Sequence, residues 1–229
     1  MSKFIVIEGL DGSGKSTQLT LLQKYLNEQH IAFQFLHFPQ LETGIYGDLI
    51  ARFLRGEFGN LKDVNPYLVA LLYAGDRNDA AQQINQWLNN GTHVILDRYM
   101  HSNIAYQCAK FDDEKEIRKL NDWIYNLEYE YYKIPKPDIS IFLHVPFEFV
   151  AKKLENPRAG DDRDYLKGKQ DIHESSLAFQ KNVEREYLRI AKEEKNYFTI
   201  SCCDAQGNMD TAEIINARII DLLKKQNII

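Results

Sequence analysis

The sequence is poor in cysteine and lacks long apolar runs, and each shortage excludes a class of protein. Three cysteines occur in 229 residues, Cys108, Cys202 and Cys203. They offer no C-x-x-C spacing for zinc or a redox pair, and adjacent cysteines rarely bridge each other, so we expect reduced, partly buried thiols. No apolar run approaches the roughly 18 residues of a membrane span. A disulfide-stapled scaffold and a membrane-embedded protein are therefore not expected.

A surplus of basic residues is also missing. Lys and Arg total 28 against 33 Asp and Glu, which gives a formal net charge of −5. A protein that binds polymeric nucleic acid or a membrane surface would need a broad basic face, so neither partner is expected. The start of the chain shows neither the basic region nor the apolar stretch of a signal peptide, which favours a cytoplasmic location. A locally basic pocket for a small anion is compatible with this balance.

Short apolar runs alternate with longer amphipathic ones along the chain. Strands are predicted at 4–7, 32–38, 92–96, 139–145 and 197–202. Helices are predicted at 15–29, 45–55, 66–90, 101–132, 147–155 and 171–195, and at the end of the chain around Ile214 to Leu222. This alternation predicts one α/β domain over residues 1–229, built as a five-stranded parallel sheet with helices on both faces.

The first predicted strand runs directly into a glycine-rich loop, Gly9 to Ser16, that fits G-x-x-x-x-G-K-[ST] and is followed by a helix. The glycines let backbone N–H groups surround a phosphate, and the helix N-terminus adds further donors. Lys15 can neutralise phosphate charge, and the Ser16 hydroxyl can ligate Mg²⁺. The alternative is a chance glycine-rich turn. The predicted phosphate-binding residues are Gly9, Asp11, Gly12, Ser13, Gly14, Lys15, Ser16 and Thr17.

The third predicted strand closes on Asp97-Arg98-Tyr99. P-loop proteins place a carboxylate at the end of a buried strand to position Mg²⁺, so Asp97 is expected to hold the metal directly or through water. Arg98 would add a fixed fork of donors suited to a second phosphate. The alternative is that Asp97 caps the next helix and pairs with Arg98 at the surface.

Four segments, taken together, connect the chain to a known family. They are 4–18 with the P-loop, Phe38-Pro39, the helix 71–77 ending in Arg77, and 97–107 with Asp97-Arg98-Tyr99. In this order and spacing they resemble thymidylate kinases, and the resemblance extends over nearly the whole chain. It implies a P-loop nucleoside monophosphate kinase fold and transfer of the γ-phosphoryl group of Mg·ATP to dTMP. The products would be dTDP and ADP, in dTTP biosynthesis, and a homodimer is also implied.

The resemblance assigns roles around an acceptor site. Arg77 and Arg98 would hold the acceptor phosphate, and Asp11 would accept a hydrogen bond from the 3′-hydroxyl. The base and sugar would contact Tyr73 by stacking, Asn103 and Gln107 at the polar edge, Tyr106 beside C2′, and Phe38 and Leu54 as apolar walls. Without the resemblance, Tyr73 reads as a core residue of an apolar helix and Arg77 as a solvated charge at a helix end.

The charged segment at 156–170 resembles the mobile lid of these kinases. Arg158 and Arg163 flank Gly160 and are candidates to reach the transferring phosphoryl group, because the interior of the P-loop carries no basic residue. A lid also excludes water that would otherwise hydrolyse ATP. The alternative is a solvated loop. The predicted catalytic residues are Lys15, Arg98, Arg158 and Arg163.

Two positions depart from the family pattern. Gln40-Leu41 follows Phe38-Pro39 where many relatives carry an arginine, and His144 stands where a carboxylate often follows the fourth strand. We expect His144 to be a surface or core histidine, and the turn at 204–208 to lie near the adenine. Alternative functions are a deoxynucleoside kinase, another pyrimidine monophosphate kinase, or a GTP-hydrolysing P-loop switch, although the guanine motif Asn-Lys-x-Asp is absent from the sequence.

Overall fold

A computed structural model describes residues 1–61, 63–155, 161–169, 171–174 and 176–229, with the backbone alone for 155 and 161–163. Its strands are β1 (Phe4–Gly9), β2 (Phe33–His37), β3 (His93–Asp97), β4 (Ile139–His144) and β5 (Tyr197–Ser201). They form one sheet in the order β2-β3-β1-β4-β5, and all neighbouring pairs are parallel. The predicted five-stranded parallel sheet is confirmed.

Eight α-helices connect and cover these strands within the described ranges. They are α1 (Lys15–Glu28), α2 (Gly44–Leu54), α3 (Pro66–Asn89), α4 (Met100–Cys108), α5 (Glu114–Tyr125), α6 (Phe147–Glu155), α7 (Leu177–Glu193) and α8 (Ala212–Lys225). A π-helical segment (Asn126–Tyr131) and a 3₁₀ segment (Asp161–Leu166) complete them. None of the helices in this described part is long and apolar enough to cross a membrane.

Two helix predictions were wrong in their boundaries. The predicted stretch 101–132 is divided into α4, α5 and the π-helical segment. The break has a local cause, because the Asp113 side chain accepts a hydrogen bond from the Lys115 backbone N–H at 2.8 Å and caps a new helix. The predicted helix 171–195 begins instead at Leu177, after Ser176 caps it through the Phe179 N–H.

The sheet is covered on both faces, as the continuous apolar run of β1 predicts. All six residues of β1 are buried, including Glu8. Helices α1 and α8 pack against each other and the sheet, while α3, α4 and α7 form a second packed group. The core lies between these groups and the central strands.

The carboxyl ends of β1, β2 and β3 meet at one edge of the sheet. Asp97 lies opposite Ile7 of β1 and His37 of β2 in the register. The Arg98 N–H donates to the Ile7 carbonyl at 2.9 Å, which extends the pairing by one residue. The loop after β1 and the residues after β3 are therefore adjacent, at the edge where open α/β sheets bind ligands.

Candidate active site

A cavity of about 900 Å³ opens at this edge and brings most of the predicted site residues together. Those that line it are Asp11, Gly12, Gly14, Lys15, Ser16, Thr17, Phe38, Leu54, Tyr73, Arg77, Asp97, Arg98, Asn103, Tyr106 and Gln107. Ser13 is buried in the loop beside the cavity, next to Gly9. Arg158 and the Arg163 side chain lie outside what the structure describes.

The loop after β1 has the backbone form that phosphate binding requires. Gly12 and Gly14 have φ angles of 82° and 84°, in the left-handed region that favours glycine, and α1 begins directly afterwards. The Lys15 Nζ is buried and donates to the carbonyls of Leu10 at 3.0 Å and Gly9 at 3.3 Å. Burial and the charge of Arg98 lower the pKa of Lys15 to about 8, so the ammonium is charged at neutral pH.

Asp97 has the chemistry of a ligand for a hard cation. It is buried, its Oδ2 lies 3.3 Å from the His37 Nδ1, and its Oδ1 has no hydrogen-bond partner among the described residues. Burial would raise the pKa of Asp97, but the contact with His37 and the charge of Lys15 lower it below its usual value. A buried ionised oxygen without a partner, with the exposed Ser16 on the same cavity, fits Mg²⁺.

Arg98 spans the centre of the cavity. Its Nη2 donates to Asp11 Oδ1 at 2.7 Å and to the Tyr106 hydroxyl at 3.2 Å, and its Nη1 donates to the hydroxyls of Ser102 and Tyr187 at 3.1 Å each. Neighbouring acidic and phenolic groups raise the pKa of Arg98 although burial alone would lower it. A permanent positive charge is thus fixed between the P-loop and α4.

Asp11 is held from three sides. Besides Arg98, it accepts hydrogen bonds at Oδ2 from the Tyr106 hydroxyl at 2.8 Å and from Gln180 Nε2 at 3.2 Å. Burial would raise the pKa of Asp11, but the charges of Arg98 and Lys15 hold it well below its usual range. The ionised carboxylate is oriented toward the cavity that it lines.

Arg77 lines the cavity and is paired with a buried carboxylate. Its guanidinium is almost fully buried and forms two hydrogen bonds of 2.6 Å with the Glu128 carboxylate. Glu128 also accepts a hydrogen bond from Asn103 Nδ2 at 3.0 Å. The buried carboxylate therefore compensates the positive charge of this arginine.

Two residues that line the cavity carry buried polar atoms without a partner in the described part of the chain. The Asn103 Oδ1 and both amide atoms of Gln107 are buried without a hydrogen-bond partner among the described residues. Leu54, half-buried Tyr73 and fully buried Phe38 are nearby wall residues. Apolar walls with a few unpaired amide groups are typical of a site for a planar, polar-edged ligand.

Several residues that line the cavity or are buried next to the P-loop were not identified from the sequence. Tyr165, Asp171 and His173 line the cavity from the segment before α7, and nothing in the local sequence indicated this. His37 was missed although it ends a strand at the same edge. Glu8 did carry a signal, since it is the one charged residue in an apolar strand that leads into the P-loop.

The two departures from the family pattern have ordinary structural surroundings. Gln40 and Leu41 line the cavity, and the Gln40 N–H donates to Asp76 Oδ2 at 3.0 Å. The His144 Nε2 lies 2.9 Å from Glu184 Oε1 near the surface, which agrees with the expected surface or core histidine.

Comparisons with known proteins agree with this geometry. The profile of a family described as "Thymidylate kinase" matches residues 7–211. The thymidylate kinase of Schizosaccharomyces pombe is 31% identical, over 99% of this chain and 93% of that protein. That of Plasmodium falciparum is 33% identical, over 67% of this chain and 66% of that protein.

A solved structure gives the same result for the fold. The thymidylate kinase of Candida albicans superimposes with a TM-score of 0.73 at 26% identity, covering 99% of this chain and 92% of that one. The sheet order and the cavity at its edge are thus found in a chain whose sequence matches this family over most of its length. This chain belongs to the thymidylate kinase family.

Proposed function

We propose that this protein transfers the γ-phosphoryl group of Mg·ATP to dTMP, giving dTDP and ADP. The observation that carries the proposal is the single cavity in which the P-loop, the Asp97-Arg98 turn and an aromatic pocket meet. An oxygen of the acceptor phosphate attacks the γ-phosphorus, and the bond to the β–γ bridging oxygen breaks with ADP as the leaving group. Such a transfer needs positioning and charge neutralisation and no protein nucleophile.

The acceptor side is assigned to Arg98 and to residues of the P-loop, α2, α3 and α4, with Phe38 after β2. Arg98 holds the acceptor phosphate, and Asp11 accepts a hydrogen bond from the 3′-hydroxyl. Tyr73 stacks on the base and the unpaired amides of Asn103 and Gln107 meet its polar edge, with Phe38 and Leu54 as walls and Tyr106 beside the sugar. Arg77 supports this wall through Glu128 and adds no net charge.

The donor side is assigned to the P-loop, Gly9 to Thr17, and to Asp97. Ser16 and Asp97 would hold Mg²⁺, which would offset phosphate charge when bound. Lys15 supplies a further positive charge beside the phosphates. We assign 156–170 as the lid, with Arg158 and Arg163 as the arginines that reach the transferring group, since the P-loop interior has no basic side chain.

A cytoplasmic homodimer is part of the proposal. The three cysteines, all within the described residues, are free thiols, which suits a reducing compartment. The adjacent helices α2 and α3 expose Ile45, Leu68 and Leu71, and such apolar side chains are typical of a subunit contact.

The acceptor profile tests this function. We expect dTMP to give the highest kcat/KM in a coupled assay with ATP over dTMP, dUMP, UMP, dCMP and thymidine. Arg98→Ala should lower kcat/KM for dTMP by roughly a hundredfold and affect the KM for ATP far less, because Arg98 is assigned to dTMP and not to ATP. Thymidine as the best acceptor, or GTP hydrolysis without an acceptor effect, would contradict the proposal.

A further inference from the structure

Glu8 lies in β1, one residue before the P-loop, and its side chain is fully buried behind Arg98. We propose that Glu8 is a positioning residue for Arg98, which it holds through the turn after β3 and through the hydroxyls of Ser102 and Tyr187. The proposal rests on the proposed function, in which Arg98 binds the acceptor phosphate. Glu8 itself lines no part of the cavity and is not assigned a contact with substrate.

One carboxylate oxygen fixes the backbone around Arg98. Glu8 Oε1 accepts hydrogen bonds from the N–H groups of Tyr99 at 3.0 Å and Ser102 at 3.2 Å. Arg98 between β3 and these donors has a φ of 68°, a left-handed conformation that residues other than glycine adopt at a cost. The carboxylate also satisfies free N–H groups at the start of α4. Glu8 therefore stabilises the turn that projects Arg98 into the cavity.

The other oxygen sets the direction of the hydrogen bonds that reach the guanidinium. Glu8 Oε2 accepts from the Ser102 hydroxyl and from the Tyr187 hydroxyl, the latter at 3.1 Å. Because the guanidinium is a donor only, each hydroxyl accepts from Arg98 Nη1 with a lone pair, and its own hydrogen points away from Arg98, toward Glu8 Oε2 or toward the other hydroxyl. Arg98 then donates to both at 3.1 Å.

The same contacts connect Arg98 to α7, the helix that follows the predicted lid. Tyr187 of α7 is fully buried, and its hydroxyl lies 2.7 Å from the Ser102 hydroxyl. Gln180 of the same helix donates to Asp11, which also pairs with Arg98. The Arg98 guanidinium is thus held on one side by Asp11 and on the other by hydroxyls that Glu8 orients.

Glu8→Gln tests the proposal with almost no change of shape. The amide presents a donor where Oε2 stood, so the hydroxyls of Ser102 and Tyr187 must accept from it and compete with Arg98 Nη1. We expect kcat/KM for dTMP to fall about tenfold or more while the KM for ATP changes less than about twofold. In an Arg98→Ala background, the same substitution should change kcat/KM for dTMP less than about twofold, because the guanidinium through which Glu8 acts is then absent.

Two further variants keep the test decisive. Tyr187→Phe removes one acceptor of Arg98 and should lower kcat/KM for dTMP selectively even if Glu8→Gln does not fold. Glu186→Gln is the matched control, since Glu186 is a fully buried carboxylate of α7 that pairs with Arg185 and Arg189 away from the cavity. Its melting temperature should change while its dTMP kinetics stay at the wild-type values.

The outcomes separate this inference from the function on which it rests. Two results would overturn the positioning role alone. One is that Glu8→Gln impairs the kinetics toward ATP as much as those toward dTMP. The other is that its effect on kcat/KM for dTMP is undiminished in the Arg98→Ala background. An Arg98→Ala variant with unchanged kcat/KM for dTMP overturns the role of Arg98 and the inference together. A wild-type protein that does not phosphorylate dTMP overturns the proposed function itself.

Discussion

Asp171 lines the cavity and is a carboxyl group in an unusual environment. It is 6% exposed, and it accepts hydrogen bonds from the Tyr165 hydroxyl at 2.9 Å and the His173 N–H at 2.8 Å. Burial, together with the nearby negative charge of Asp11, raises the pKa of Asp171 from 3.8 to about 7. His173 beside it is neutral near pH 7, because burial and the charge of Lys110 lower its pKa to about 3.

This raised pKa predicts a loss of stability as the pH rises. Between the ordinary pKa of 3.8 and the folded value near 7, the folded state binds more protons than the unfolded one, so the contribution of Asp171 falls across this window and is constant above it. Asp171→Asn removes the effect. We expect the free energy of unfolding of the variant, relative to wild type, to rise by at most about 2–3 kcal/mol from pH 5 to pH 8.

Urea unfolding at the two pH values measures this difference. The buried histidines titrate in the wild type and the variant alike, so their contribution cancels in the comparison. Asp112→Asn, at an exposed position, serves as the control and should not change the pH dependence of the free energy of unfolding. Parallel stability curves for wild type and Asp171→Asn would contradict the prediction.

At the scale of elements, a buried ion pair joins α3 to the π-helical segment. The side chains of Arg77 and Glu128 are 2% and 0% exposed, and Asn103 of α4 donates to the same carboxylate. A single carboxylate thus connects α3 and α4, which both line the cavity, to the π-helical segment. Removal of one partner from such a pair leaves an uncompensated buried charge.

Glu128→Gln should therefore destabilise the protein by about 3–5 kcal/mol. The exposed pair of Arg118 and Glu114 on α5 provides the comparison, and Glu114→Gln should cost less than about 1 kcal/mol. A double variant, Arg77→Met with Glu128→Met, should recover roughly half of the loss or more, because no charge is then left unpaired. Thermal and urea unfolding test these values, and equal effects of Glu128→Gln and Glu114→Gln would refute them.

At the scale of the whole molecule, the charge distribution resolves the contrast between an acidic protein and an anionic ligand. The formal net charge is −5, yet Lys15 and Arg98 meet at the cavity together with backbone donors of the P-loop. Exposed acidic residues are found on other surfaces, for example Glu114 on α5 and Asp221 on α8. Positive groups placed at one point of the cavity can bind small phosphorylated ligands even in an acidic protein.

The exposed apolar side chains of α2 and α3 give the prediction for assembly. Ile45 and Leu68 are 77% and 61% exposed. If they form an isologous contact, each substitution acts twice in the dimer. Leu68→Glu should weaken the dimer at least about tenfold in sedimentation measurements, because it places two like charges in an apolar contact. Ile214→Glu on α8, 45% exposed in the wild type, is the control and should leave the oligomeric state unchanged.

The features that the sequence determined by itself are local ones. The P-loop follows from eight consecutive residues between a strand and a helix, and the parallel sheet follows from the alternation of apolar runs. Asp97 and Arg98 could be placed because a residue that ends a buried parallel strand must lie at the ligand-binding edge. A local pattern also indicates the division of the stretch 101–132. Asp113 followed three residues later by Glu116 is typical of the start of a helix, although the helical periodicity of the stretch suggested one continuous helix.

Tertiary structure alone decided which side chains share a proton, a charge or a hydrogen bond. Glu8 meets Tyr187 across 179 residues, and Arg77 meets Glu128 across 51. Such pairs leave no pattern in a single sequence, because they depend on how helices dock on the sheet. Burial then changes their chemistry, turning Arg77 from a candidate phosphate ligand into half of an ion pair and giving Asp171 a pKa near neutrality.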